Sequence, residues 1–327
     1  MDNENLEVLH ALDDWLGSGA CAWLCTIVAT FGSSPRPVGS LLAINDRGQA
    51  AGSLSGGCVE DDLLDALRSR SVAADGPERL AYGVSQAETA RLGLPCGGRL
   101  EVIAEPLIPS DRIRNEFTEI LALLSARRRC VREVDLETGA TRVAPDTSMR
   151  PTALEGARLC QRFGPRQRLV LVGAGQIARY LSEIALALDF EVVVTDPRPE
   201  LLEAWAVTNT HACSGMPDDV VREWAGDANS AVITLTHDPR IDDMALMEAL
   251  RGDNFYVGAL GSRRTSDKRR QRLSALDLRP DQIDRLDAPV GLDIGSKTPP
   301  EIAVAIAASL IELRNRPHAR PEQAPPE

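Results

Sequence analysis

The stretch "SLSGGCVEDD", residues 53–62, sets a cysteine directly after two glycines and directly before three acids, at the mouth of a helix. Gly56 and Gly57 let the backbone turn tightly or let a ligand approach it closely. Cys58 then sits where helix-end amides point outward, a field that favours the thiolate. Glu60, Asp61 and Asp62 suit the same positive helix end and compete with the thiolate for it. A second loop, "LPCGGRLEV", repeats the composition in mirror order, with Cys96 before its Gly-Gly pair. Either cysteine alone reads as a small buried hydrophobe. Two in such loops raise a thiol role, as soft ligand or in sulfur chemistry. Cys25, inside an apolar run, is assigned to packing. Arg36 stands between Pro35 and Pro37, which fix its direction, and a rigid arginine suits a phosphate or a carboxylate.

A different chemistry is written further along. "LVLVGAGQIA" places Gly173, Gly175 and Ala178 in a GxGxxA arrangement after a strand and at the start of a helix that opens on Gln176. Asp196 ends the next strand, 23 positions beyond Gly173. Glycines there permit close approach of a pyrophosphate, the helix end holds the phosphates, and the acid holds a ribose. The competing reading is that the glycines only pack helix on strand. "GALGSRRTSDKRRQRL" adds an island of positive charge to an acidic chain. Ser262, Arg263 and Arg264 fall at its strand-to-helix turn and suit a phosphate clamp, whereas Arg269, Arg270 and Arg272 read as a solvated helix face. His237, in "THDPRID", ends another strand as a ligand contact or a hydrogen-bonded structural residue. Asp238 before Pro239 reads as a helix cap. "PVGLDIGSKTPPE" supplies one more glycine loop, with Asp293 and Lys297 near its tip.

The elements that must position these residues divide into two regions. In the first, an amphipathic helix within "MDNENLEVLHALDDWLGSG" precedes the apolar strand "CAWLCTIVAT", a hairpin turning at Asp46-Arg47-Gly48, helix "VEDDLLDALRSR", strands "PERLAYGV" and "RLEVIAEPL", a helix near 111–127, and the strand "CVREVDLE". Residues 138–164 have weak periodicity and many turn formers, and are expected to be an interdomain connection. From 165 the pattern becomes strands alternating with helices, which means a parallel sheet covered by helices. A last helix starts with a capping box at Thr298 and Glu301. The proline-rich residues 317–327 are expected to be disordered. The fold class is therefore α/β: a mixed α/β domain over 1–137, the connection, and a Rossmann-like domain over 165–316.

The formal charge of −12 argues against nucleic-acid binding, which wants a basic face. The opening residues lack the basic start and apolar core of a signal peptide, and no apolar run is long enough to span a membrane. Seven scattered cysteines fit reduced thiols in a cytoplasm, and the absence of a CxxC pair argues against a structural zinc site.

Taken together, "GSSPRPVGSLLAI", "GSLSGGCVEDDL", "CGGRLEV", "LVLVGAGQIA", "VTDPR", "THDPRID", "VGALGSRRT" and "PVGLDIGSKTPPEIAVAI" resemble the XdhC/CoxI family in order and spacing. These are accessory proteins of xanthine dehydrogenase and related molybdenum hydroxylases. The resemblance implies a cytoplasmic, dimeric chaperone that binds molybdenum cofactor, as molybdopterin or its cytosine dinucleotide. It implies that the protein protects the cofactor during sulfuration by a cysteine desulfurase and inserts it into an apo-hydroxylase. The family's "GGCVE" cysteine falls on Cys58, so the resemblance assigns it contact with molybdenum or its sulfido group, while the Rossmann turn is left to hold either the pterin phosphate or a nucleotide. The rival is an NAD(P)-dependent oxidoreductase, which Gly173, Gly175 and Asp196 serve equally well. No Lys/His/Tyr constellation in the first region supports that rival.

Overall fold

A computed structural model describes residues 3–32, 36–57, 59–69, 71–83, 99–148 and 150–315. Cys58, Cys96 and the tail 317–327 lie outside the described residues. The chain divides into two compact units, 1–165 and 166–327. Among the described residues, no helix is long and apolar enough to cross a membrane.

The first unit is built on a five-stranded antiparallel sheet. Its strands are β1 (Ala22–Phe31), β2 (Leu41–Asn45), β3 (Ala50–Gly52), β4 (Glu78–Tyr82) and β5 (Arg99–Leu107), in the order β3-β2-β1-β5-β4. Strand alternation sends Leu24, Leu41 and Leu107 to one face. There they meet Val8, Leu9, Leu12 and Leu16 of α1 (Asn3–Gly17) and Phe117, Ile120 and Leu124 of α3 (Asp111–Ser125). Trp23, Cys25 and Ile27 go to the other face and pack on Leu63 and Leu67 of α2 (Glu60–Arg68). Cys25 is the packing residue expected, with its thiol pushed up to about 12 by burial and by Glu105. The β2–β3 hairpin turns where expected. Gly48 has φ +79°, and the Asn45 side chain accepts from the amides of Arg47 and Gln49.

Residues 138–164 correct the expected connection. They supply β7 (Thr141–Pro145), β8 (Ala153–Glu155) and β9 (Arg158–Phe163), which join β6 (Cys130–Asp135) in a second antiparallel sheet ordered β7-β6-β9-β8. The turn formers that suggested a linker make the hairpin bends between these short strands: Asp135 accepts from the amides of Glu137 and Thr138, and Gly139 and Gly156 take positive φ. This sheet is tied to the first by Arg132, which is fully buried. Its guanidinium donates to both oxygens of Glu105, to Glu116 and to Gln161. Gln161 in turn donates to Thr26 on β1.

The second unit is the expected parallel sheet, with six strands: β10 (Arg168–Val172), β11 (Glu191–Thr195), β12 (Thr210–Cys213), β13 (Ser230–Thr234), β14 (Tyr256–Ala259) and β15 (Leu286–Asp287). Their order is β12-β11-β10-β13-β14-β15. The central strands are apolar on both faces because helices cover both. Leu169 and Leu171 face α4 (Gln176–Ala187) and α10 (Pro299–Asn315). Val170, Val172 and Val232 face α6 (Pro217–Trp224), α7 (Pro239–Arg251) and α8 (Arg263–Ser274). The last helix starts as its sequence suggests, with the Glu301 carboxylate accepting from the amides of Lys297 and Thr298.

Candidate functional site

In the second unit the chain leaves β10 toward β11 on one side, and β13 lies on the other, so the strand order reverses between β10 and β13. Ligands of open α/β sheets bind in the crevice at the carboxyl ends of the strands flanking such a point. The glycine turn opens there. Gly173 has φ +112°, and a Cβ on it would stand 2.8 Å from Cγ2 of Thr236, so only glycine fits. Gly175 is extended (φ −92°, ψ −171°) and begins α4 without any side-chain cap. A Cβ there would meet nothing within 4 Å. The first amides of a 12-residue helix therefore face open space beside exposed Gln176.

Asp196 is placed beside this turn but turned inward. Its Oδ2 accepts from the Ala174 amide at 2.9 Å, and both its oxygens accept from the Arg198 side chain at 2.8 Å. Burial opposes its ionisation, yet the Arg198 guanidinium and the Ala174 and Arg198 amides outweigh that and hold the carboxyl below the usual aspartate range. Arg198 as the partner was not foreseen in the sequence, although "TDPR" places it two residues on.

Strand β13 runs into Thr236 and His237. His237 is exposed and has no hydrogen-bond partner among the described residues, which corrects the structural reading and leaves its imidazole open to a ligand. Thr236 beneath it donates to buried Asp242, which also accepts from buried Arg269 at 2.8 Å. Burial pushes the Asp242 carboxyl up to about 6 against the pull of Thr236 and Arg269. Asp238 caps α7 as expected, accepting from the Arg240 amide.

The positive island divides. Ser262 caps α8 through the Thr265 amide. Arg263, Arg264 and Lys268 are exposed, and Arg263 makes a 3.4 Å pair with equally exposed Asp293. The later arginines are not the solvated face expected of them. Arg269 is buried on Asp242 and the Leu260 carbonyl. Arg270 donates to the carbonyls of Leu286 and Ala288, and Arg272 makes two hydrogen bonds to Asp243. Their carboxylate partners lie next to each other in α7, where a sequence pattern confined to one helix cannot show them.

In the first unit, Gly56 (φ +78°) and Gly57 (φ +114°) shape the turn that leads into α2, and a Cβ at either would meet nothing within 4 Å. The organiser of this turn is Glu60. Its Oε1 accepts from the Ser53 hydroxyl and the amides of Leu54 and Ser55, and its Oε2 from the Ser55 hydroxyl and the amides of Gly57 and Val59. The amides of the loop before the helix are thus turned onto an internal carboxylate. Burial resists that charge, but the serine hydroxyls and the loop amides bring the Glu60 carboxyl down from 4.5 to about 2. The turn is accordingly favoured above pH 4.5, and this contribution disappears as pH falls from there through about 2. Carbon-13 titration should find the Glu60 side chain still ionised at pH 4.5; a midpoint at the ordinary glutamate value would show the nest is not formed. Arg36 is held by Glu4 of α1, at 2.5–2.7 Å.

Strand order, the Gly173–Gly175 turn and the open helix end define a Rossmann-type α/β domain following an antiparallel, helix-backed unit. The model of the XdhC Rossmann domain matches residues 169–310, and that of the XdhC and CoxI family matches residues 15–83. The chain belongs to the XdhC/CoxI family. It is 26% identical to a Bacillus subtilis protein named as a probable xanthine dehydrogenase subunit, over 93% of this chain and 97% of that protein. It is 25% identical to the molybdenum cofactor insertion chaperone PaoD of Escherichia coli, over 96% of this chain and 90% of that protein. A crystal structure of a protein named a xanthine dehydrogenase, from Bacillus halodurans, superposes with a TM-score of 0.72 at 26% identity, covering 97% of this chain and 98% of that one.

Proposed function

We propose that this protein is a cytoplasmic molybdenum cofactor chaperone, which holds the cofactor for sulfuration by a cysteine desulfurase and delivers it to an apo-hydroxylase of the xanthine dehydrogenase type. Family membership and the insertion role named for PaoD support the class. The observation that carries the reading is the uncapped helix end above Gly175, where added side-chain volume meets nothing and a phosphate finds free amides. The cofactor's phosphate, in molybdopterin or its cytosine dinucleotide, is the group that this end fits. Arg263 and Arg264 are proposed as a clamp on the same cofactor, with Ser262 capping their helix and His237 as an exposed neighbour at a strand end. Gly56, Gly57, Cys58, Cys96 and Arg36 are proposed for the metal and sulfur chemistry of the first unit, with Cys58 the residue that meets molybdenum or its sulfido group. A homodimer is the expected assembly.

Protein purified from a cofactor-producing host should carry a fluorescent pterin after oxidation and should activate an apo-hydroxylase. Cys58→Ser should keep the fold and the pterin yet lose activation by the sulfurated form. Pterin-free protein that reduces a nicotinamide dinucleotide with a small substrate would instead establish the oxidoreductase reading.

The divided arginine island gives a second contrast. Arg264→Ala should weaken binding of phosphorylated pterin by about 1.5–3 kcal/mol, the worth of a charged hydrogen bond, without changing the melting temperature. Arg272→Ala should do the reverse, since it strips buried Asp243 of its two donors. Equal effects on affinity at the two positions would remove the clamp.

A further inference from the structure

The acid that ends the second strand of a Rossmann domain ordinarily offers its carboxylate to ribose hydroxyls. Here that carboxylate is already taken. Both Asp196 oxygens accept from Arg198, and Oδ2 accepts from the Ala174 amide as well. Asp196 is 1% exposed, so a ribose diol finds no free acceptor without displacing the arginine. Arg198 is itself half exposed. Its bonds to Asp196 use Nε and Nη2, and among the described residues nothing accepts from Nη1. A guanidinium held by one edge presents the donors of its other edge in a fixed fork, the geometry that suits phosphate oxygens. Because Arg198 and the Ala174 amide share Asp196 Oδ2, that fork is anchored beside the glycine turn. The acids Glu200 and Asp238 are close enough to act on Arg198, so attraction for an anion comes from directed bonds rather than from a broad basic field.

We propose that the Asp196–Arg198 pair sets the ligand specificity of the crevice, replacing recognition of a free ribose diol with recognition of a phosphomonoester. The inference rests on the reading of the crevice as a cofactor-holding site. Two sources carry the group: the terminal phosphate of a pterin, and the 2′-phosphate of an NADP-type dinucleotide. They share the chemistry and are separated by the choice of probe.

The test titrates the full chain with two matched pairs, the oxidised fluorescent pterin with and without its terminal phosphate, and NADPH against NADH. The phosphorylated member of one pair should bind about tenfold or more tightly, and the pair that shows this names the source. Arg198→Gln should erase the preference by weakening only the phosphorylated member, and Arg198→Lys, which keeps the cation, should retain part of it. A pair that merely staples the 196–198 segment to the glycine turn would weaken both members alike and leave their ratio unchanged. An unchanged ratio in Arg198→Gln, equal binding within both pairs, or no binding of any probe overturns the proposal. Cofactor retention and hydroxylase activation are read separately, so their survival alongside any of those results would leave the chaperone reading standing.

Discussion

Gly175→Val should abolish tight binding of the phosphorylated pterin while leaving the protein folded. The two halves of that expectation have separate causes. The backbone at Gly175 is in the extended region, which a β-branched residue adopts readily, and its Cβ would meet no atom within 4 Å. Stability should therefore change by less than about 1 kcal/mol. The added methyls do occupy the space through which a phosphate reaches the first amides of α4. Losing two charge-assisted hydrogen bonds there corresponds to about 3–6 kcal/mol in binding. Gly173→Ala supplies the contrast. Its φ of +112° and the 2.8 Å approach to Thr236 should destabilise the domain itself, so that lost binding follows lost structure. Isothermal titration with both variants, each checked by thermal unfolding, decides the matter. Undiminished affinity in folded Gly175→Val protein would reduce the glycine turn to scaffold.

The sequence made this end of the molecule legible because its physics is local. A strand of unbroken apolar residues, a GxGxxA turn and an amphipathic helix are contiguous, and the parallel sheet, the crevice and the capped starts of α7 and α10 follow from such runs. The outer strands β12 and β15 are short and mixed, with His211 and Asp287 inside them, so no periodicity announces them. Partners distant in sequence were hidden for a different reason. Arg270 and Arg272 look solvated on a helical wheel until α7 and the 286–288 carbonyls are brought beneath them. Asp196 carries the expected identity at the expected strand end, but its carboxylate is committed by Arg198, a side-chain choice that a motif does not encode. Glu60 was visible as one of three acids at a helix start. That it turns back over the loop before it depends on the two positive-φ glycines and on Ser53 and Ser55, whose hydroxyls reach it. Cys58 and Cys96, the residues that prompted a thiol reading, lie outside the described residues, and their role rests on experiment.

Arg132→Met should cost the first unit about 3–5 kcal/mol, the penalty for leaving buried carboxylates without their cation. Strand β6 alternates, with Cys130, Arg132 and Val134 all buried on one side, so the arginine enters a face that is otherwise apolar. It does so because β5 and α3 deliver Glu105 and Glu116 to the same place, each less than a tenth exposed. Four hydrogen bonds to Glu105, Glu116 and Gln161 engage all three nitrogens of the guanidinium, and the ring of Phe117 lies under it at 5.4 Å. Methionine fills the aliphatic volume but gives the two acids no charge. One of them must then take up a proton or draw in water, and the second antiparallel sheet loses its tie to the first. Replacing Arg132, Glu105 and Glu116 together by apolar residues of similar volume should recover much of it, since the desolvation of all three charges is then avoided. Urea unfolding monitored through hydrogen exchange of the Ala22–Phe31 strand isolates this unit from the Rossmann domain. A single-variant loss below about 1 kcal/mol, or a triple variant less stable than Arg132→Met, would show that the network holds the two sheets together by something other than charge.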